Sequence, residues 1–257
     1  MGGKLSRLLG LNRQLSRRRA VWRAYAVHFY TSLGLIAGLA AMIAIVEGRP
    51  RDVFIFLWLA LWIDSMDGTL ARSWEVKFWA PNFDGRKLDD ITDYLNYVFI
   101  PVFFIYQFGL ISRPWSPVLM LILLASAFRF CHSSAKTDDG YFTGFPSYWN
   151  VIAFYFYVFQ GNRDLNGLIL LFFAIMVFVP IKYIYPSQTP VLRWLNQALS
   201  VFWFVLVCIF TATLDNPNST LVYLSLIGLA YYLLASILLH FKPGRESLLD
   251  ASQTAGD

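Results

Sequence analysis

Charged residues are scarce in this sequence of 257 residues. Asp, Glu, Lys and Arg make up 14% of the chain and hydrophobic residues 57%, whereas soluble domains contain about 25% charged residues. This shortage excludes an ordinary soluble domain and predicts an integral membrane protein. The 18% of aromatic residues is typical of chains with aromatic belts at the two membrane–water interfaces.

Cysteine is almost absent, which excludes two further classes of protein. Cys131 and Cys208 lie in apolar surroundings without CxxC spacing, so neither a disulfide framework nor a zinc site is expected. The pattern of a cleavable signal peptide is also lacking. The basic N-terminal stretch is about twenty residues long, and the apolar segment after it is long enough to span a membrane.

Eight apolar segments predict an all-α polytopic membrane protein, because a spanning helix needs about 20 predominantly apolar residues. They cover approximately residues 21–46, 53–72, 89–111, 117–135, 148–160, 165–183, 192–214 and 221–241. The predicted organisation is one transmembrane domain (21–241), preceded by a basic segment (1–20) and followed by a polar tail (242–257). The basic segment is either an amphipathic interfacial helix or a basic cytoplasmic tail that fixes the orientation of the chain.

The distribution of basic residues predicts that both termini are cytoplasmic. With eight spans and the N-terminus inside, only four of the 21 Lys and Arg residues lie outside, namely Arg49, Arg51, Arg113 and Arg163. This arrangement obeys the positive-inside tendency. We therefore assign the net charge of +5 to membrane orientation and to anionic lipid headgroups. A nucleic-acid partner is not expected.

Acidic residues cluster at the cytoplasmic ends of the second and third predicted spans. Asp64 and Asp67 are three residues apart, and Asp89 and Asp93 are four apart, so each pair shares one face of a helix. The loop at 73–88 would bring the two pairs opposite each other. Carboxylates next to apolar helices are costly unless something compensates their charge, and a cation would do so.

Four carboxylates with this spacing can hold hard divalent cations, which prefer oxygen ligands. Two such ions about 3.5–4 Å apart suit phosphoryl transfer. Arg72 offers a planar guanidinium to a phosphate, and Gly68 would let a nucleotide approach the helix. The alternative interpretation is a structural ion-pair network or a helix cap at Asp89.

The residues of this cluster match a known pattern. The spacing Asp64-x2-Asp67-Gly68-x2-Ala71-Arg72, followed by Gly85-x3-Asp89-x3-Asp93, resembles the signature of the CDP-alcohol phosphotransferases. The spacer at 73–84 is longer than in most of that family. A long spacer of this kind resembles that of the bacterial phosphatidylcholine synthase branch of the family. The stretches at 88–97 and 135–150 are also similar to that branch.

The resemblance implies a fold, a reaction and a set of roles. The fold would be CDP-alcohol phosphotransferase-like, and the choline hydroxyl would attack the β-phosphorus of CDP-diacylglycerol and release CMP. The chain would lie in the bacterial inner (cytoplasmic) membrane, with the site facing the cytoplasm, and could form a homodimer. The implied ligands of two Mn²⁺ or Mg²⁺ ions are Asp64, Asp67, Asp89 and Asp93, with Asp93 also the general base. The implied nucleotide and phosphate contacts are Gly68, Ala71, Arg72 and Gly85.

Further candidates lie outside the signature. Arg129 and Lys136 are candidates for contacting the phosphate or glyceryl region of the lipid nucleotide. A quaternary ammonium such as choline is typically held by aromatic faces, although interfacial aromatic residues are also ordinary in membrane proteins. The candidates for this role are Tyr94, Asn96, Tyr97, Tyr148, Trp149 and Tyr155.

Two other functions remain open at this point. The same chemistry could use another alcohol, such as serine, inositol or glycerol phosphate. A secondary transporter could also place acids in the membrane. A transporter predicts acids near the bilayer midplane and interrupted helices in two matching halves, and no matching second half is evident here.

Overall fold

The structure is a computed structural model that describes residues 2–132, 140–186, 189–214 and 219–241, with side chains from residue 15 onward except at residue 219. The described chain is mainly helical. Its α-helices are α1 (Gly2–Val46), α2 (Pro50–Ser73), α3 (Val76–Trp79), α4 (Gly85–Asp93), α5 (Ile100–Gln107), α6 (Ser116–Phe130), α7 (Trp149–Phe159), α8 (Arg163–Met176), α9 (Arg193–Ala212) and α10 (Ser219–His240). A π-helix (Tyr94–Phe99) joins α4 to α5, and a 3₁₀ turn (Arg113–Trp115) precedes α6.

The chain divides into two compact units. The first, Met1–Gln107, contains α1 to α5. In this unit α1 packs along α2 and also contacts α3, α4 and α5. Small buried residues such as Ala37 and Ala41 on α1 allow this close approach of helices. At Gly34 the contact is tighter still, since an added Cβ would lie 2.6 Å from Thr92 Cγ2.

Local signals set the ends of the helices that carry the acidic residues. Pro50 opens α2, a position where the missing N–H of proline costs nothing. The helix stops before Glu75, which takes a left-handed conformation (φ 49°). Asp84 caps α4, since its side chain accepts a 3.1 Å hydrogen bond from the backbone N–H of Lys87. Asp84 therefore has a structural role.

The second unit, Phe108–Asp257, contains α6 to α10 and a two-stranded antiparallel ladder. Strand β1 (Tyr141–Thr143) pairs with β2 (Lys182–Ile184), and Phe142 lies opposite Tyr183. The apolar segment predicted at 165–183 is wrong at its end, because α8 stops at Met176 and the chain then enters β2. Pro180 explains the stop, since proline has no backbone N–H and breaks a helix.

Each of the eight predicted segments contains helix. Four described helices are long and apolar enough to cross a membrane, namely Leu15–Val46, Pro50–Ser73, Arg193–Ala212 and Thr220–His240. The structure thus confirms a mainly helical chain with four candidate membrane spans among the described residues. The count of eight spans and the orientation of the termini stay predictions. The basic segment at 1–20 falls almost wholly within α1, which is helical from Gly2 onward, and the predicted division of the chain stays a prediction.

Candidate functional site: three converging carboxylates

The acidic residues of the signature lie on two helices of the first unit. Asp64 and Asp67 are on α2, and Asp89 and Asp93 are on α4. Carboxylate oxygens of Asp64, Asp89 and Asp93 lie within 4.8 Å of one another, and all three residues are half-buried. Within the described ranges, no other group of three His, Cys, Asp or Glu residues meets this condition. The predicted convergence of the two helices is therefore present.

Asp67 is arranged differently from the other three acids. It is buried, and its Oδ2 accepts a 2.8 Å hydrogen bond from Thr31 Oγ1 on α1. It does not belong to the three-carboxylate group. Three of the four predicted metal ligands thus lie together, whereas the fourth, Asp67, is hydrogen-bonded to Thr31 of α1. The metal role of each acid stays a prediction.

Tyr97 connects the two acid-bearing segments. It lies on the π-helix that follows Asp93, and its hydroxyl donates a 2.8 Å hydrogen bond to Oδ2 of Asp64. The neighbouring Asn96 is also buried, and its Nδ2 donates to the carbonyls of Gly34 and Thr92 at 3.0 Å each. These two candidates for choline contact therefore hold backbone and carboxylate groups of the first unit.

Arg72 lies over the glycine of the signature. An added Cβ at Gly68 would be 3.3 Å from Arg72 Nη1, and Arg72 Nη2 donates a 3.3 Å hydrogen bond to Thr69 Oγ1. Arg72 is exposed, so its guanidinium is accessible to a phosphate. Ala71 instead packs against a small apolar cluster that includes Val27 and Val76.

His28 is a residue of this region that sequence reasoning missed. Its ring stacks on Phe83 with centroids 4.1 Å apart, and it occupies the space beside Gly85, where an added Cβ would lie 2.6 Å from His28 Cε1. Its buried Nε2 has no hydrogen-bond partner among the described residues. The sequence did contain a signal for this residue, because the chain has only three histidines and His28 lies inside a predicted apolar segment.

Tyr94 is half-buried at the start of the π-helix in the first unit, and the remaining candidates belong to the second unit. Trp149 is 0% exposed and its Nε1 donates a 2.9 Å hydrogen bond to Ser126 Oγ. The buried Tyr155 donates to Ser225 Oγ at 2.9 Å and accepts from Trp203 Nε1 at 3.1 Å. These contacts give both residues a place in the core of that unit.

The other candidates of the second unit are less enclosed. Arg129 is half-buried in the last turn of α6, and the half-buried Tyr148 faces the ring of Tyr232 with centroids 6.1 Å apart. Lys136 lies outside the described residues. The contacts of Arg129 and Tyr148 do not test whether these residues bind a ligand.

The donors of the three-carboxylate group suit a hard cation. All of them are carboxylate oxygens on two packed segments, the donor type that Mg²⁺ and Mn²⁺ prefer over nitrogen or sulfur. Because the oxygens lie within 4.8 Å of one another, one ion could contact all three residues with small side-chain adjustments. The residues present therefore fit a divalent cation.

Comparison with known proteins identifies what the chain is similar to. The family model described as CDP-alcohol phosphatidyltransferase matches residues 28–201. A protein of Pseudomonas aeruginosa named phosphatidylcholine synthase is 39% identical over 184 residues, which cover 71% of this chain and 77% of that protein. Proteins of the same name from Borreliella burgdorferi and Rhizobium johnstonii are similar over more of their length. The first is 38% identical over 222 residues (85% of this chain, 95% of that protein), and the second is 34% identical over 232 residues (89% and 96%).

Proposed function

The chain belongs to the CDP-alcohol phosphatidyltransferase family, and from that premise we propose that it is a phosphatidylcholine synthase. In the proposed reaction, the oxygen of the choline hydroxyl forms a bond to the β-phosphorus of CDP-diacylglycerol. The bond from that phosphorus to the oxygen of CMP breaks, and CMP leaves. The name shared by relatives that match up to 96% of their own length supports choline as the acceptor.

The observation that carries this proposal is the convergence of Asp64, Asp89 and Asp93. With Asp67 as a fourth ligand, these residues would hold two divalent ions, Mg²⁺ or Mn²⁺. Bound there, the ions would neutralise charge on the diphosphate and make the acceptor hydroxyl more acidic. The protein's own contribution is to fix the carboxylates on two packed helices, because phosphoryl transfer depends mainly on positioning and charge neutralisation.

Asp93 is the proposed general base. It lies at the last residue of α4, and one of its oxygens belongs to the group that faces Asp64 and Asp89. It would accept the proton of the choline hydroxyl as the new P–O bond forms. A carboxylate suffices for this step when the hydroxyl has become more acidic.

Residues on the same two helices would hold the nucleotide. The exposed guanidinium of Arg72 and the bare backbone at Gly68 support a site for the diphosphate and the cytidine. Gly85 is assigned to this site by the family resemblance alone. The guanidinium of Arg72 is the strongest of these supports, since arginine can bind a phosphate through two parallel hydrogen bonds.

The proposed setting is the bacterial inner membrane, with the site at the cytoplasmic face where water-soluble choline and CMP exchange. The four apolar helices long enough to span and the bacterial relatives support a membrane enzyme. A homodimer stays an expectation of the family resemblance alone.

The test is CMP release by the purified protein from CDP-diacylglycerol with a single acceptor in each reaction. We expect turnover with choline to exceed turnover with serine, inositol or glycerol phosphate. We also expect EDTA to abolish turnover and excess Mn²⁺ or Mg²⁺ to restore it. Metal-dependent turnover that favours another alcohol would retain the reaction class and reject choline. Undiminished turnover in EDTA would reject the metal site.

A further inference from the structure

The hydrogen bond from Tyr97 to Asp64 spans two segments that the sequence separates by 33 residues. We propose that Tyr97 is a positioning residue, which holds Asp64 in the orientation that binds a divalent cation. This inference rests on the metal role given above. It differs from the choline contact expected from the sequence, and it assigns a task to a residue outside the eight-residue signature.

Tyr97 lies within the π-helix, four residues after Asp93. A π-helical turn contains one more residue than an α-helical turn and often occurs at functional sites. Here it occupies Tyr94–Phe99, directly after Asp93. Tyr97 and Asp93 both meet Asp64 of α2, Tyr97 through its hydroxyl and Asp93 within the three-carboxylate group.

Asn96 holds this π-helix against α1. Its amide donates to the carbonyl of Gly34 on α1 and to the carbonyl of Thr92 on its own segment. Gly38 makes room for the amide, since an added Cβ there would lie 2.8 Å from Asn96 Oδ1. The segment carrying Tyr97 is therefore also fixed to α1, by contacts that involve no ligand.

The chemistry of a tyrosine donor fits a ligand that must keep its negative charge. A hydroxyl bonded to one carboxylate oxygen orients the carboxylate and leaves lone pairs free for a metal, as partners of metal ligands commonly do. A lysine or arginine in the same place would compete with the cation. Tyr97 is 6% exposed, so its ring offers little free face to a quaternary ammonium.

The test measures metal binding directly. Wild type, Tyr97→Phe, Tyr106→Phe and Asp64→Asn are purified in detergent and titrated with Mn²⁺, and bound Mn²⁺ is followed by electron paramagnetic resonance. Tyr97→Phe keeps the ring and removes only the hydroxyl, and we expect it to weaken Mn²⁺ binding by about tenfold, the lower end of the effect of such partners. Tyr106 is an exposed residue of α5, so Tyr106→Phe should bind Mn²⁺ as wild type does.

A second measurement separates positioning from choline contact. In the CMP-release assay, Tyr97→Phe should need about tenfold more Mn²⁺ for half-maximal activity, with the KM for choline unchanged. In an Asp64→Asn background, Tyr97→Phe should have no further effect on Mn²⁺ binding, because its partner is already altered. This comparison between two folded variants keeps the inference testable if Tyr97→Phe alone lowers stability.

The outcomes are distinct. Unchanged Mn²⁺ affinity in Tyr97→Phe, or a raised KM for choline as its only defect, would overturn the positioning role. If wild type bound Mn²⁺ and Tyr97→Phe weakened that binding while choline gave no CMP, the proposed acceptor would fail and the positioning role would stand.

A separate observation carries a second inference. A cavity of about 480 Å³, partly open to its surroundings, is lined by residues of α1 and of the segment that follows α2, among them Arg19, Arg23, Trp74 and Glu75. We infer that it binds the phosphate headgroup of an anionic phospholipid. The cavity has the size of small-molecule sites, and it lies where the candidate span Leu15–Val46 begins and the span Pro50–Ser73 ends, which is the expected level of lipid headgroups.

The lining suits an anion at a membrane interface. Arg19 and Arg23 form none of the ion pairs seen among the described residues, and the single acid of the lining is Glu75. The guanidinium of Arg23 lies 6.0 Å from the centre of the Trp74 ring, a contact that holds the arginine without neutralising it. Tryptophan is itself enriched at the headgroup level of membranes.

Two double variants with the same change of charge test this site. Arg19→Gln/Arg23→Gln alters the cavity, whereas Arg17→Gln/Arg18→Gln alters exposed arginines of the same helix that do not line it. We expect phosphatidylglycerol to raise the Tm of the detergent-purified wild type and of the second variant. The first variant should lose this shift, and native mass spectrometry should show less retained phosphatidylglycerol. Equal losses in both variants would indicate diffuse charge, and stabilisation by inorganic phosphate without lipid retention would indicate a soluble ligand. Either result would overturn the lipid site.

Discussion

Thr31 on α1 donates a 2.8 Å hydrogen bond to Asp67 on α2, and both side chains are buried. Thr31→Val keeps the shape of the side chain but removes the donor. Because a buried carboxylate that loses a donor is costly, we expect a loss of about 1–3 kcal/mol of stability, measured as a lower Tm in detergent. Thr31→Ser, which keeps the hydroxyl, should stay near the wild-type Tm. Equal Tm values for Thr31→Val and wild type would show that the bond contributes little.

The base assignment predicts a specific defect in Asp93→Asn. The asparagine keeps the size of the side chain but accepts a proton poorly, so CMP release should fall at least about 100-fold. The protein should still fold and gain thermal stability from added CDP. Asp90→Asn, three residues earlier and outside the signature, is the matched control and should retain turnover. Substantial turnover in Asp93→Asn would exclude the residue as the base.

The packing of His28 on Gly85 predicts a paired effect on stability. In Gly85→Ala the new methyl group would lie 2.6 Å from His28 Cε1, and we expect a cost of about 1–3 kcal/mol from overpacking. Removing the ring should relieve it, so the double variant His28→Ala/Gly85→Ala should have the same Tm as His28→Ala. A Tm for Gly85→Ala equal to that of wild type would contradict this packing.

Gly68 should behave differently from Gly85. An added Cβ there meets only the end of the Arg72 side chain, at 3.3 Å, and this flexible group can move away. Gly68→Ala should therefore keep the wild-type Tm but bind CDP about tenfold more weakly, a loss of about 1.4 kcal/mol. Gly161, whose added Cβ would meet nothing within 4 Å, provides the control Gly161→Ala. Wild-type CDP affinity in Gly68→Ala would remove the glycine from the nucleotide site.

The sequence predicted the helices of the site well because their signals are local. Apolar length located α2, whereas α4 begins at Gly85, four residues before the apolar segment predicted at 89–111. The spacing of Asp89 and Asp93 placed both acids on one face, where the structure has them. Family membership followed from residue types at fixed offsets. The same local logic predicted a helix as far as residue 183 and missed the strand, since the residues after Pro180 are apolar in either conformation.

The partners of the acids could not be predicted in this way. Thr31 lies 36 residues from Asp67, and Tyr97 lies 33 residues from Asp64. Such pairs depend on how whole helices pack against each other. The π-helix at Tyr94–Phe99, which carries Tyr97, was not predicted either, because no residue type in that stretch distinguishes it from an α-helix. Aromatic composition was also a weak guide, because burial in a helical core and contact with a ligand favour the same residue types.

The length of α1 has a mechanical consequence. At 45 residues the helix is about 68 Å long, more than twice the hydrocarbon thickness of a bilayer, about 30 Å. Much of this rod must therefore project from the lipid. α1 carries Thr31, which bonds to Asp67, and it also contacts α4. A change in bilayer thickness that tilts α1 would therefore also move the helices that hold the carboxylates. Catalytic rate should thus depend on the acyl-chain length of the surrounding lipid, even when the substrate is kept the same.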